Sequence, residues 1–173
     1  MSYHIYTTKG LVLSERPLRE ADRVYSILTR DLGLVRATAL GVRKEASKLR
    51  GALEPITFVR VSLVRGKEYW RITSADSIKK IEPDPEILRP LALLEKLVQG
   101  EARHPELFDV VESEIIRFKI QDLGFKNEDW EVGLVSKILY HLGYLKEADP
   151  VSDKRELIKA INEGIEVSHL TRR

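Results

Sequence analysis

The apolar residues of this 173-residue chain change their repeat once, near residue 80, and that change limits what the chain can fold into. Upstream the repeat is two. In residues 56–65, Val59, Val61 and Leu63 alternate with Arg60 and Ser62, as in a strand with one buried face. Gly66-Lys67 then turns the chain into Glu68-Tyr69-Trp70-Arg71-Ile72-Thr73, whose aromatic and β-branched residues predict the second arm of a hairpin. Three more strands are predicted at about 4–14, 23–30 and 34–42. Asp31-Leu32-Gly33 separates the second from the third and supplies a residue that tolerates positive φ. Residues 43–53 are polar at first and then resemble a short helix. Five strands with a helical insert between the third and fourth is the order of an OB-fold β-barrel.

Downstream the repeat becomes helical. Asp84-Pro85-Glu86 suits a helix start, with proline where its missing N–H costs nothing, although Pro90 could move the first turn to residue 90. Leu91, Leu94, Leu97 and Val98 follow at helical spacing. His104-Pro105-Glu106 opens a second helix that carries Leu107, Phe108, Val111, Ile115 and Phe118 towards a stop at Gly124. Asn127 can cap a third, with Trp130, Leu134, Ile138 and Leu142 on one face and Gly143 as its left-handed terminator. Asp153 and Glu156 resemble a capping box before Leu157, Ile158 and Ile161. The fold class expected is therefore α+β: a five-stranded OB-fold barrel over residues 1–80 and a small all-α domain over residues 81–173.

Charge breaks at the same place. Residues 1–80 hold 16 Lys and Arg against 8 Asp and Glu, a surplus of eight positive charges, whereas residues 81–173 hold 13 against 19. The net charge of +2 hides a basic module joined to an acidic one. A basic module concentrates polyanions around itself and points to nucleic acid. Without cysteine there is no disulfide framework and no thiolate metal site. The start of the chain lacks a signal-peptide pattern, and no apolar run approaches the roughly 20 residues that span a bilayer. A cytoplasmic protein without membrane contact is expected.

Catalytic patterns are lacking. His4, His104, His141 and His169 are scattered, Gly41, Gly51 and Gly66 are isolated, and acidic pairs such as Glu112/Glu114 suit a solvated helix face. No enzyme, metal or cofactor is expected. A binding role has more support. Arg43, Lys44, Lys48 and Arg50 fall within eight positions of one loop. Arg16, Arg19 and Arg23 flank the first turn, while Arg36, Arg60, Arg65, Lys67 and Arg71 lie on or beside strands. Such cations neutralise phosphates and release condensed counterions. Tyr25, Tyr69 and Trp70 are candidates for stacking on unpaired bases, although Tyr25 and Trp70 suit the barrel core equally well. Glu20 and Asp22 would repel phosphate, so they should pair with Arg16, Arg19 or Arg23, or cap the turn backbone.

Several segments resemble one family in order and spacing: Gly10-Leu11-Val12-Leu13, Arg19-Glu20-Ala21-Asp22-Arg23, Leu28-Thr29-Arg30-Asp31-Leu32-Gly33, Gly41-Val42-Arg43-Lys44, residues 47–55 and Val64-Arg65-Gly66. They follow the opening of the RecO family of DNA repair and recombination mediators. Further on, Gly133-Leu134-Val135, Leu139, Leu142-Gly143-Tyr144-Leu145 and Asp149-Pro150 look like that family's helix ending in L-x-x-L-G-Y, and residues 168–173 resemble its basic tail. The resemblance implies an OB-fold followed by helices, binding of single- and double-stranded DNA, and annealing of complementary strands. It also implies work with RecR and the single-stranded DNA-binding protein to load the RecA recombinase, in a bacterial, nucleoid-associated setting. Carried over to this chain, the DNA contacts fall at Arg36, Arg43, Lys44, Lys48 and Arg50. Many members hold a four-cysteine zinc site after the L-G-Y helix; lacking cysteine, this chain should hold no zinc. Its helical domain is also expected to be contracted. Two rival functions share the composition: an RNA-binding OB module, and a protein–protein adaptor working through the acidic half.

Overall fold

The structure is a computed structural model that describes residues 4–45, 47–98, 100–121, 130–146 and 154–168. Five strands, β1 (Ile5–Pro17), β2 (Arg23–Thr29), β3 (Gly33–Ala39), β4 (Thr57–Val64) and β5 (Trp70–Lys80), precede four helices. The helices are α1 (Pro85–Leu97), α2 (Pro105–Gln121), α3 (Trp130–His141) and α4 (Lys154–Val167). The chain divides into two compact units: residues 1–83 with 99–103, and residues 84–98 with 104–173.

The strands close a barrel in the order β1-β2-β3-β5-β4, the OB-fold arrangement of an α+β chain. β1 serves both halves of the barrel. Its first part pairs antiparallel with β4 from Ile5↔Val64 to Leu11↔Phe58, and its second part pairs with β2 from Gly10↔Thr29 to Pro17↔Arg23. Gly10 lies where the two pairings overlap, and a Cβ there would stand 2.7 Å from Ile27 Cγ2. Only glycine lets the strands approach so closely at the bend. β3 and β5 meet through a short parallel seam, Ala37↔Trp70 and Thr38↔Arg71. The alternation in β4 works as the sequence requires: Val59, Val61 and Leu63 are fully buried, and Arg60 faces outward. Each such burial contributes about 1.5–3 kcal/mol.

Two features depart from the sequence reading. β5 runs to Lys80, well past Thr73, although only Trp70 and Ile72 are buried along it. Its polar second half is ordered by backbone pairing with β4, from Leu63↔Ile72 to Thr57↔Lys80, so no apolar pattern announces it. The insert between β3 and β4, residues 40–56, forms successive turns and no α-helix among its described residues. The amides of Ala52 and Leu53 both return to the Leu49 carbonyl, at 3.2 and 3.1 Å, and the ladder stops there. One turn of helix costs several dihedrals for a single hydrogen bond. Here the backbone bonds go to neighbouring turns instead.

In the helical unit, the Asp84 side chain accepts the Glu86 amide at 2.9 Å and fixes the start of α1 at Pro85. Pro90 sits inside this helix, on its buried side. Gly143, at φ 79°, ends α3. The Tyr144 amide reaches the Leu139 carbonyl at 2.8 Å and the Gly143 amide reaches that of Tyr140 at 2.9 Å, the paired bonds of a left-handed helix terminus. Phe118 and Trp130 pack their rings 4.3 Å apart between α2 and α3. The expected caps at Gly124, Asn127 and Asp153, the Asp149-Pro150 step and residues 169–173 lie outside the described residues. Among the described residues no helix is long and apolar enough to cross a membrane.

Candidate nucleic-acid interface

Three connections of the barrel gather where β1 ends. The β1–β2 turn (residues 18–22) and the β3–β4 insert are joined by backbone: the Arg43 amide donates to the Ala21 carbonyl at 3.2 Å. Arg43 Nη1 donates to the Glu20 carbonyl at 2.9 Å, and the Gly41 amide donates to Asp22 Oδ1 at 2.8 Å. Asp22 therefore caps turn backbone, while Glu20 offers its carbonyl. The β4–β5 turn (residues 65–69) is tied to the end of β1 by Arg16, whose Nη2 donates to the Tyr69 hydroxyl at 3.1 Å with the guanidinium 5.8 Å from the ring centre. Bonds between loops reduce the entropy that a ligand would otherwise have to remove.

A cavity of about 320 Å³ opens beside the first two connections, lined by Glu15, Arg23, Tyr25, Val42, Arg43, Arg50, Leu53, Glu54 and Pro55. The Arg23 guanidinium is bound to the Glu15 carboxylate. Tyr25 lies in the core, 2% exposed, with its hydroxyl against Glu15. Burial first, and then the nearby Glu15 carboxylate, hold that phenol protonated well above the ordinary tyrosine range. Glu54 is bound by Lys80 of β5.

A second cluster surrounds Trp70. Its indole Nε1 donates to Glu101 Oε1 at 2.8 Å, and the Arg65 guanidinium lies 4.9 Å from the ring centre while bound to the same carboxylate. Glu101 belongs to the segment 99–103 that packs with the barrel, where the Gly100 carbonyl accepts the Leu34 amide at 3.2 Å. Tyr6 meets Trp70 edge-on at 5.3 Å, and His4 meets Tyr6 at 4.4 Å.

The residues singled out from sequence thus have distinct settings. Arg23, Arg43 and Arg50 converge on one cavity, Arg16 meets Tyr69, and Arg65 meets Trp70. Arg19, Lys44, Lys48, Arg50 and Lys67 are exposed on the three connections and make no ion pair among the described residues. Arg36 is exposed on the outer side of β3, apart from these groups. The alternatives left open for two aromatic residues resolve towards the core: Tyr25 and Trp70, at 2% and 5% exposure, cannot stack on a base. Tyr69 is half-buried with its hydroxyl occupied by Arg16. Sequence reasoning missed Tyr6, 36% exposed at the edge of the Trp70 cluster. Its place near the start of β1, opposite Leu63, is the only signal that could have found it. Glu15 was missed as well, because its two partners, Arg23 and Tyr25, lie on the next strand.

Comparison with known proteins bears on this end of the chain. Residues 1–81 match the family described as "Recombination protein O N terminal". A protein named DNA repair protein RecO from Frankia casuarinae is 46% identical over 74 residues, which is 43% of this chain and 30% of that protein. One of the same name from Dehalococcoides mccartyi is 43% identical over 76 residues, 44% and 30% of the respective chains. One from a Synechococcus strain is 41% identical over 81 residues, 47% and 28%. The match spans less than a third of the length of these relatives. The matched stretch coincides with the barrel, so over residues 1–81 this chain is similar to the N-terminal domain of the RecO family.

Proposed function

We propose that this protein serves DNA repair and recombination as a nucleic-acid-binding mediator, working without covalent chemistry through the loop-bearing end of its barrel. One observation carries the reading: three connections present Arg19, Lys44, Lys48, Arg50 and Lys67 with no carboxylate partner among the described residues, beside the cavity shared by Arg43 and Arg50. Unpaired cations on a preorganised frame release counterions when phosphates replace them, which favours either single- or double-stranded DNA without reading sequence. Bringing two complementary strands together needs the same neutralisation and loose contacts, so strand annealing follows from the same surface. The name carried by the relatives, DNA repair protein RecO, supports the setting. In that setting the partners would be RecR and the single-stranded DNA-binding protein, and the outcome would be loading of the RecA recombinase.

The test is an annealing assay with complementary fluorescent oligonucleotides, with and without the single-stranded DNA-binding protein. The full chain should accelerate annealing. The variant carrying Arg43→Glu, Lys44→Glu, Lys48→Glu and Arg50→Glu should not, while melting as the unaltered protein does. Normal annealing by that variant would remove the insert from the site, and stronger binding of a matched RNA oligomer than of DNA would favour an RNA-binding module.

A further inference from the structure

We propose that the cavity between β2 and the β3–β4 insert is a receptor for a phosphate monoester, the dianionic group found at the end of a nucleic-acid strand or on a free mononucleotide. The inference rests on the nucleic-acid reading above and names a specific ligand for one part of that surface. Three guanidinium groups, those of Arg23, Arg43 and Arg50, border the cavity together with two carboxylates. Both carboxylates are already engaged, Glu15 by Arg23 and the Tyr25 hydroxyl, and Glu54 by Lys80 from outside the lining. Among the described residues, two guanidinium groups, those of Arg43 and Arg50, remain without a counter-charge. Arg43 uses one of its five N–H donors on the Glu20 carbonyl, which fixes the plane of the group and leaves its other donors for a ligand. Arg50 makes no ion pair among the described residues.

Two unmatched forks call for a ligand with two negative charges and several open oxygens. A phosphate monoester carries about −1.5 to −2 charges near pH 7 and three terminal oxygens. A backbone diester carries about one charge and must enter and leave along the chain, which suits an open groove better than a concave cavity. About 320 Å³ is at the lower end for ligand pockets and has room for the phosphate with part of its sugar. The Pro55 ring and the buried Val42 and Leu53 give an apolar wall for that remainder.

Fluorescence anisotropy of the full chain at pH 7.5 tests this with one single-stranded oligonucleotide prepared in three forms: 5′-phosphate, 3′-phosphate and hydroxyl at both ends. A phosphorylated end should tighten binding on the order of ten-fold over the hydroxyl form, the scale of one added charge-assisted hydrogen bond. That ratio should fall towards one in Arg43→Gln and in Arg50→Gln. It should also shrink at pH 5.5, where the monoester takes up a proton. Adenosine monophosphate should abolish the advantage of the phosphorylated form. If adenosine monophosphate binds but no strand end does, the source is the free nucleotide. Equal affinity for all three forms, with no effect of the mononucleotide, overturns the inference and leaves the binding reading intact. If no oligonucleotide binds at all, the binding reading fails; a shift in melting temperature with adenosine monophosphate, lost in Arg50→Gln, would still support the cavity, and no shift would end it.

Discussion

Lys137 in the helical unit and Lys44 in the barrel are the same side chain in opposite settings. Lys137 of α3 keeps 29% of its side chain exposed and donates to Glu114 Oε1 of α2 at 2.7 Å. Arg89 of α1 likewise clasps Glu131 of α3 through two nitrogens, at 2.8 and 2.5 Å. Lys44 stands exposed on a turn that bonds its neighbours through backbone and makes no ion pair among the described residues. In the helical unit, then, these cations join helices; on the barrel's connections several make no ion pair among the described residues. The difference runs parallel to the charge balance of the two halves. Residues 1–80 carry eight surplus positive charges, whereas the 19 acidic residues over 81–173 outnumber their 13 basic ones.

The largest effect that could break this comparison comes from exchanging the treatment of the two units. Reversing Arg43, Lys44, Lys48 and Arg50 should weaken DNA affinity on the order of 100-fold or more in an anisotropy titration. Replacing Arg89 and Lys137 together by Gln should leave affinity within about two-fold. Equal losses would show that both sets of cations serve the ligand. Next, Glu114→Ala should lower stability by about 1–2 kcal/mol in urea unfolding, because it strips a partly buried ammonium of its partner. Lys44→Ala should change it by less than about 0.5 kcal/mol. A smaller effect is expected at Tyr6, whose exposed ring borders the Trp70 cluster. If a base stacks there, Tyr6→Ala costs about 1 kcal/mol, roughly five-fold in affinity for single strands, and less for duplex. The smallest concerns pH. The Arg89 guanidinium holds the Glu131 carboxyl below its ordinary range. A carboxylate depressed in the folded state stabilises above its unfolded pKa, and that stabilisation is lost as pH falls through the lower, folded value. The difference in melting temperature between unaltered protein and Glu131→Gln should therefore shrink on acidification below the ordinary carboxylate range; an unchanged difference would deny the pair any role in stability.

Much of the barrel could be read from sequence because the signals were local. Val59, Val61 and Leu63 alternate visibly, and Asp31-Leu32-Gly33 marks a turn in which Gly33 does take a positive φ of 73°. Gly143 ends α3 as its type and place suggest. What escaped was decided by partners distant in sequence. The second half of β5 has no apolar pattern and exists because β4 lies beside it. Residues 43–53 have helix-like composition, but their backbone is drawn to the β1–β2 turn through Arg43 and the Ala21 carbonyl. Trp70 offers the same aromatic ring to core or ligand on paper; the Glu101 carboxylate and the barrel wall settle it inside. The surplus of basic residues on these connections was legible, while their arrangement around a cavity, an Arg–Tyr contact and an Arg–Trp cluster was not.

If the exposed cations of the barrel connections carry nucleic-acid binding, as proposed, a salt titration shows it most directly. Anisotropy with a labelled single-stranded oligonucleotide, repeated between 50 and 300 mM salt, should give a log–log slope of about −4, as expected for about six phosphate contacts, Arg43 included. The Arg43→Glu, Lys44→Glu, Lys48→Glu, Arg50→Glu variant should retain a slope shallower by about 3. An affinity indifferent to salt, or a variant whose slope matches that of the unaltered protein, would contradict the account.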